Sequence, residues 1–374
     1  MKYYIIAGEA SGDLHGSNLI SEIRQLDLHA DIRSWGGDKM EAAGAVLIKH
    51  YRELAFMGFT EVLMNLRTIF RNLAFCKEDI LAYQPDTLIL IDYPGFNLRI
   101  AKWAKQQGIR VIYYISPQVW AWKENRVKMM RQCIDKMLVI LPFEKDYYRD
   151  KWNWEVEYVG HPLVDVIRRH KEAHTSHPAA DPRPVIALLP GSRQQEIMKK
   201  LPVMLEVSRH FPHYHFVVAK APGLEESFYD DLLKSYENVN WVSGKTYDLL
   251  MEARAALVTS GTATLETALF GVPEVVCYKG SPISYAIARR VIRVKFISLV
   301  NLIMDRMVVK ELIQHEFTVD NVRKELTALL EDQNRINQIR KDYHDLHNLL
   351  AHGGNASARA AASIVEWLRA SGAA

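Results

Sequence analysis

The strongest constraint on this chain is a rhythm that runs from end to end. Short apolar runs alternate with amphipathic segments, and several of the runs end in a loop of small residues. In the first half the strand candidates are Tyr3 to Ala7, TLILI (87–91), VIYYI (111–115), MLVIL (137–141) and VEYVG (156–160). In the second they are VIALLP (185–190), HFVVAK (215–220), NVNWVS (238–243), AALVTSG (255–261) and EVVCYK (274–279). Runs that are apolar on both faces fit strands of a parallel sheet covered on both sides. Strands alternating with helices predict doubly wound α/β architecture. The first helix is predicted from about Leu14 to Gln25. Residues 168–184, RRHKEAHTSHPAADPRP, hold three prolines and three histidines without apolar periodicity and read as a linker. The expected division is therefore 1–167, linker 168–184, and 185–351. From about Val319 the chain reads as three polar helices without a strand.

Charge and cysteine content exclude several classes. Lys plus Arg is 47 against 44 Asp plus Glu, a net charge of +3, too balanced for a dedicated nucleic-acid binder. Cys76, Cys133 and Cys277 lie far apart with no CxxC pair, so neither a zinc finger nor a disulfide framework is expected; a reducing compartment is. The opening MKYYIIAGEASGD is too short in its apolar run for a signal peptide. No stretch approaches the roughly 18 to 20 apolar residues that span a bilayer, so membrane contact is expected to be peripheral.

Chemistry is expected where strands end, because ligands of doubly wound folds sit outside the carboxyl ends of the strands. The first strand runs into Gly8-Glu9-Ala10-Ser11-Gly12-Asp13. The two glycines are expected to allow positive φ and close ligand approach, with Ser11 or Asp13 as a possible N-cap. The spacing is not GxGxxG, which disfavours a dinucleotide site. Leu189-Pro190-Gly191-Ser192-Arg193 opens another helix. A cation in a first turn opposes the helix dipole, so Arg193 is better explained as a diphosphate ligand beside free backbone N–H groups. In Thr259-Ser260-Gly261-Thr262-Ala263-Thr264-Leu265-Glu266, small residues and hydroxyls again suit a phosphate, and Glu266 is placed to accept from ribose hydroxyls or to favour the helix dipole. Asp92 follows TLILI, where desolvation raises a carboxylate toward the general-base range; an Asx turn before Pro94 is the structural alternative. His161 reads as a hydrogen-bonded structural group, and Trp120 and Trp122 as either a ligand wall or core.

Residues 55–75, AFMGFTEVLMNLRTIFRNLAF, carry a complete helical core face at Phe59, Val62, Leu63, Leu66, Ile69, Phe70 and Leu73. Phe56, Met57, Met64 and Phe75 add apolar mass beyond it, with Arg67 and Arg71 nearby, as an interfacial helix would. Segment 279–295, KGSPISYAIARRVIRVK, has five basic residues and no acid, attractive to anionic lipid or a phosphorylated substrate.

GEASGD, FMGFTEV (56–62), IDYPGFN (91–97), YISPQVWAW (114–122), LPFEK (141–145), VGHP (159–162), LLPGSR (188–193), TSGTATLE and SLVNLI (298–303) resemble, in that order, the lipid-A-disaccharide synthase family. The resemblance covers the chain from about residue 3 to the C-terminal helices. It implies a GT-B glycosyltransferase: two Rossmann-like doubly wound domains facing a central cleft, with a C-terminal helix (about 352–374) crossing back to the first. The implied reaction joins UDP-2,3-diacylglucosamine to 2,3-diacylglucosamine 1-phosphate (lipid X), with inversion, giving the β(1→6) disaccharide 1-phosphate and UDP. No cofactor and no metal in the chemical step are implied, nor a nucleic-acid partner. The implied location is the cytoplasm, in peripheral contact with the anionic inner membrane of a Gram-negative bacterium. Asp92 then becomes the candidate base and Arg193 the candidate that meets the charge of the leaving UDP. Gly8, Glu9, Ser11, Gly12, Ser260, Gly261, Thr262, Glu266 and Asn301 are candidate UDP-sugar contacts, Glu266 at the ribose. Phe56, Met57, Phe59, Met64 and Phe75 are candidate acyl or membrane contacts. The one departure is alanine in GEASGD, where threonine is also familiar. The rival readings are a UDP-sugar 2-epimerase of the same architecture, a polyprenyl-linked glycosyltransferase, and a non-catalytic nucleotide-sugar-binding membrane module.

Overall fold

The structure is a computed structural model that describes residues 1–54, 66–174, 181–221, 223–281, 285, 294–351 and 354–372. The chain forms two compact units, Met1–Pro162 with Ala351–Ala374, and Leu163–Leu350.

In the first unit the order is β1 (Lys2–Ala7), α1 (Ala10–Leu26), β2 (Asp31–Gly36), α2 (Asp38–Ala42), β3 (Val46–His50), α3 (Leu66–Tyr83), β4 (Thr87–Ile91), α4 (Pro94–Gln106), β5 (Arg110–Tyr114), α5 (Arg126–Cys133), β6 (Lys136–Val139), α6 (Pro142–Trp152) and β7 (Glu157–Tyr158). The strands form one sheet ordered β3-β2-β1-β4-β5-β6-β7, and every pair is parallel. Tyr4, Ile6, Leu88, Leu90, Val111, Tyr113, Met137 and Val139 share one buried cluster with Cys76 and Ile80 of α3 and with Phe96, Ile100, Ala101 and Ala104 of α4. The alternate residues Tyr3, Ile5, Ile89, Ile112 and Leu138 are buried as well. Burial on both faces is the physical reason these strands are continuous apolar runs.

Strands β2 and β3 were not among the expected runs. DIRSWG begins exposed and polar, and VLIKH lies at the sheet edge with all five residues at least partly exposed, so neither presents an unbroken apolar stretch. The expected strand 156–160 contracts to the two residues of β7. Helix α1 starts at Ala10, four residues before the expected Leu14, which puts Ser11 and Gly12 in its first turn.

The second unit begins with α7 (Pro162–Ala173) and continues β8 (Val185–Leu189), α8 (Gln194–Ser208), β9 (His215–Lys220), α9 (Glu226–Leu233), β10 (Val239–Ser243), α10 (Thr246–Glu252), β11 (Ala253–Thr259), α11 (Thr262–Phe270), β12 (Glu274–Tyr278), α12 (Leu299–Met304), β13 (Lys310–Ile313), α13 (Val319–Glu331) and α14 (Gln333–Ala351). Its parallel sheet is ordered β10-β9-β8-β11-β12-β13. Val185, Ala187, Leu189, Val217, Ala219, Ala256 and Val258 build its core with Leu249 and Leu250 of α10. Residues 168–173, expected in the linker, instead complete α7: Leu163 and Ile167 are buried one turn apart, so the polar run is the outer face of a helix that starts before it. Residues 175–180 of the expected linker lie outside the described residues. The last helix, α15 (Ala356–Ala370), belongs to the first unit and packs on α1.

Candidate active site

In each sheet the chain reverses its direction of strand addition once, between β1 and β4 in the first unit and between β8 and β11 in the second. Loops leaving two such neighbouring strands diverge, and the gap outside their carboxyl ends is where doubly wound folds place ligands. The candidate residues gather at these two points.

In the first unit, β1 ends at Gly8-Glu9 and β4 at Asp92-Tyr93. Asp92 and Tyr93 both hold left-handed backbone, φ 43° and 48°, which costs non-glycine residues about 1–3 kcal/mol each. The turn is pinned around them. Asn97 Nδ2 donates to the carbonyl of Asp92 at 2.8 Å and to that of Ile91 at 3.2 Å, and the Tyr113 hydroxyl donates to the Asp92 carbonyl at 2.6 Å. These bonds fix the backbone and leave the carboxylate at the strand end. Burial pushes Asp92 up to about 7, the Glu9 carboxylate adds to the rise, and the Tyr93 N–H opposes it. A carboxyl with a pKa in that range has the property general-base chemistry near neutral pH requires.

Gly8 is required by packing, and the expected positive φ at Gly8 and Gly12 is not found. A Cβ on Gly8 would lie 2.3 Å from the Tyr93 ring, so this glycine lets the two loops touch; one on Gly12 would lie 3.1 Å from Ala7 Cβ, so that glycine lets α1 start close against the end of β1. Ser11 is exposed in the first turn of α1. Asp13 is buried and caps a different helix, its carboxylate accepting from the N–H groups of Gly37, Lys39 and Met40 at the start of α2. Glu9 is the N-cap residue of α1 without a side-chain cap bond.

Sequence reading missed a third acid of this neighbourhood. Glu144, in α6, is buried and accepts from the Leu141 N–H at 3.0 Å and Trp120 Nε1 at 3.1 Å. Burial pushes it up to about 8, and the Asp92 charge contributes. Trp120 is thereby tied to Glu144, while Trp122 is exposed under Lys123. His161 is buried, and burial with His15 nearby pushes it down to about 3, a neutral imidazole at neutral pH.

In the second unit a cavity of about 330 Å³ is lined by Gly191, Ser192 and Glu196 after β8, Lys220 and Ala221 after β9, Thr246, and Thr259, Ser260, Gly261, Thr262, Ala263 and Glu266 after β11. Gly191 and Gly261 have φ of 118° and 154°, which β-carbon-bearing residues rarely adopt. Helices α8 and α11 both open here without a side-chain cap bond, presenting N–H groups and positive dipole ends to an anion. Ser260 donates its hydroxyl to the Ile297 carbonyl at 2.7 Å. Glu266 accepts from the Tyr247 hydroxyl at 2.8 Å, and burial pushes its pKa up. Arg193 is the N-cap residue of α8 rather than part of its first turn. It is exposed, pairs with Glu196 at 3.4 Å, and does not line the cavity. Sequence reading passed over two lysines at the pocket. Lys220 lines it at the end of β9, and the buried Lys200 amine sits 3.8 Å from where a Cβ on Gly191 would stand. A lysine closing an apolar strand was the available signal for Lys220.

Asn301 does not belong with these groups. It is fully buried, and its side chain is consumed by the fold: Nδ2 donates to the Val309 carbonyl and to Glu311 at 2.9 Å, while Oδ1 accepts from the N–H groups of Val308 and Val309. A residue so satisfied has nothing left for a substrate. Of the candidate membrane contacts, Phe56, Met57, Phe59 and Met64 lie outside the described residues, as does most of 279–295. Phe75 is exposed on α3 and touches Trp35 at a ring distance of 6.0 Å. Arg67, Phe70, Arg71 and Ala74 form an exposed stripe of the same helix, whereas Leu73, Cys76 and Ile80 face the core. No helix among the described residues is long and apolar enough to cross a membrane.

A family profile described as lipid-A-disaccharide synthetase matches residues 3–365. The lipid-A-disaccharide synthase of Geobacter metallireducens is 39% identical over 372 residues, covering 97% of this chain and 96% of that one. That of Syntrophus aciditrophicus is 39% identical, with 98% of each chain covered. Among solved structures, a UDP-GlcNAc 2-epimerase from Neisseria meningitidis bound to UDP-GlcNAc superposes with a TM-score of 0.68 at 14% identity, covering 98% of this chain and 100% of that one. The glycosyltransferase of kitacinnamycin gives 0.67 at 16% identity, covering 98% and 99%. The structural likenesses establish the GT-B architecture, two parallel-sheet α/β domains, and the sequence likenesses establish the rest: the chain belongs to the lipid-A-disaccharide synthase family, glycosyltransferases of lipid A biosynthesis.

Proposed function

We propose that this enzyme transfers 2,3-diacylglucosamine from its UDP derivative to the primary hydroxyl of 2,3-diacylglucosamine 1-phosphate, in a single displacement with inversion. The observation that carries the reading is Asp92, a carboxyl at a strand end whose environment raises it to about 7. In the proposed step the acceptor oxygen attacks the anomeric carbon and passes its proton to the Asp92 carboxylate. The C–O bond to the diphosphate breaks, and its electron pair leaves with UDP. The charge developing on the diphosphate is met by the helix N-termini, Lys220 and the hydroxyls around the second-unit cavity, with Arg193 next in sequence to the lining residue Ser192 and Glu266 at the ribose. Glu9 acts on Asp92 through charge.

Membrane association is part of the proposal. Both substrates carry two acyl chains, and the exposed Phe70 and Phe75 flanked by Arg67 and Arg71 fit a surface resting on anionic lipid. The test is incubation with UDP-2,3-diacylglucosamine in EDTA, with and without the 1-phosphate acceptor, following UDP and lipid products. UDP and a β-linked disaccharide 1-phosphate that form only with acceptor are expected. UDP release without acceptor, or conversion of UDP-GlcNAc instead, would sink the proposal and favour hydrolysis or epimerisation.

A further inference from the structure

Behind the cavity, separated from its lining residue Glu266 by the Tyr247 side chain, two histidines and an aspartate of the second unit converge. His170 lies in the last turn of α7, and His174 follows one turn later. Asp248 lies in the first turn of α10. His170 Nε2 is 2.9 Å and His174 Nδ1 3.2 Å from the same oxygen, Asp248 Oδ1, and the three atoms all lie within 4.8 Å of one another. We propose that these residues bind one divalent transition-metal ion of the zinc class, which fastens α7 to α10.

The geometry is close to what such an ion requires. A tetrahedral zinc about 2.0–2.1 Å from nitrogen and oxygen ligands spaces those ligand atoms about 3.3 Å apart. Both nitrogen–oxygen distances are already near that value. Two imidazoles with one carboxylate favour zinc, cobalt, nickel or copper over magnesium or calcium, which prefer all-oxygen shells. The His170 ring is held edge-on by Tyr247 at 5.3 Å and Phe270 at 6.2 Å, which limits the rotamers it must give up on binding. The three side chains are 32%, 15% and 38% exposed, leaving room for water at the remaining position. The neighbouring cation, Lys171, is turned away, its amine donating to the Leu269 carbonyl and lying over the Phe270 ring. Without an ion, the same contacts are two imidazole N–H groups sharing one carboxylate oxygen, and the experiment must separate these two states.

Untagged full-length protein, freed of metal by chelator and dialysis, is titrated with Zn²⁺ against a chromophoric chelator and separately with Co²⁺. Wild type is expected to bind one equivalent tightly and to give the intense visible absorption of tetrahedral cobalt. Loss of an outer partner alone weakens metal sites 10- to 100-fold, so His170→Ala, His174→Ala and Asp248→Asn are each expected to lose at least about tenfold in affinity. Asp248→Asn preserves shape, and serves if a histidine variant does not fold. Absence of a stoichiometric equivalent in wild type overturns the proposal. So does binding that is equal in wild type and Asp248→Asn.

Discussion

The assignment of Asp92 makes two measurable demands that must be met together. Its carboxyl rises from an ordinary value of 3.8 to about 7 because burial and the Glu9 carboxylate disfavour its charge. Below about 7 the base is protonated and idle, so kcat/KM is expected to climb with pH and level off above a midpoint near 7. The same rise is a stability statement. Between pH 4 and 7 the folded chain holds this proton more tightly than the unfolded chain, so the group's contribution to stability falls as pH rises through that window. At 1.36 kcal/mol per pKa unit the full effect has a ceiling of about 4 kcal/mol. Asp92→Asn replaces the carboxyl by a neutral group of the same shape. It is expected to lower turnover about 100- to 10,000-fold, the usual worth of a positioned base. It is also expected to raise the melting temperature relative to wild type at pH 8.5, with little difference at pH 4. Glu9→Gln, which removes the neighbouring charge, should move the midpoint of the pH–rate profile below that of wild type while keeping the base. A profile that is flat from pH 6 to 8, or an Asp92→Asn protein no more stable than wild type at pH 8.5, would refute the reasoning.

Other residues carry separate expectations. Gly8→Ala drives a Cβ into the Tyr93 ring, which cannot swing aside freely because its hydroxyl donates to the Leu54 carbonyl at 3.2 Å. A loss of about 1–3 kcal/mol is expected in thermal or denaturant unfolding, and an unchanged transition would show that the loops do not touch as described. Lys220→Ala removes a cation from the second-unit cavity and should weaken UDP binding about tenfold, the lower end of a charged hydrogen bond; unchanged affinity by calorimetry would remove this cavity as the diphosphate site. Asn301→Ala strands the N–H groups of Val308 and Val309, at about 1–3 kcal/mol for each unpaired group. Its signature is a lowered melting temperature, whereas normal stability with lost UDP-sugar binding would restore it as a substrate contact. Phe70→Glu should weaken retention on anionic vesicles in a flotation assay without lowering the melting temperature, whereas Phe75→Glu, which also gives up the Trp35 contact, should lower both; unaltered flotation of the two variants would reject the α3 surface as an anchor.

How far the sequence could be read depends on what each residue answers to. The ends of β1, β4, β8 and β11 were legible because a strand buried on both faces is an unbroken apolar run, and its end is marked by glycine, serine or an acid. Asp92 could be placed at such an end directly from TLILI. Glu144 and Lys200 could not be singled out. Glu144 follows Pro142 in a helix's first turn, where an acid is ordinary, and only the fold brings Trp120 across to it. Lys200 sits beside Lys199 in an amphipathic helix, a pairing that reads as solvated. It is 2% exposed because the Tyr278 ring and the Gly191 loop cover it. In both cases the deciding partner is remote in sequence.

The misreading of Asn301 has the same origin, and it is tied to a missing strand. KELI, β13, has a charged residue at two of its four positions, so no apolar run announces it, and without it the SLVNLI segment has no visible partner in the sequence. Once β13 pairs with β12, Glu311 lies within reach of Ile297, Ser298 and Asn301. Its carboxylate takes the N–H groups of Ile297 and Ser298, the Ser298 hydroxyl and Asn301 Nδ2. An acid that accepts four donors is buried without becoming an orphan, and the polar residues around it become structural by the same bonds. The network still reaches the cavity, because the Ile297 carbonyl accepts the Ser260 hydroxyl. Asn301 therefore stands three hydrogen bonds behind a cavity residue, through Glu311 and Ile297, and holds the segment that holds Ser260. A polar residue in a motif-rich segment is thus as well explained by supporting a binding loop as by touching the ligand, and only the count of donors and acceptors it has left distinguishes the two.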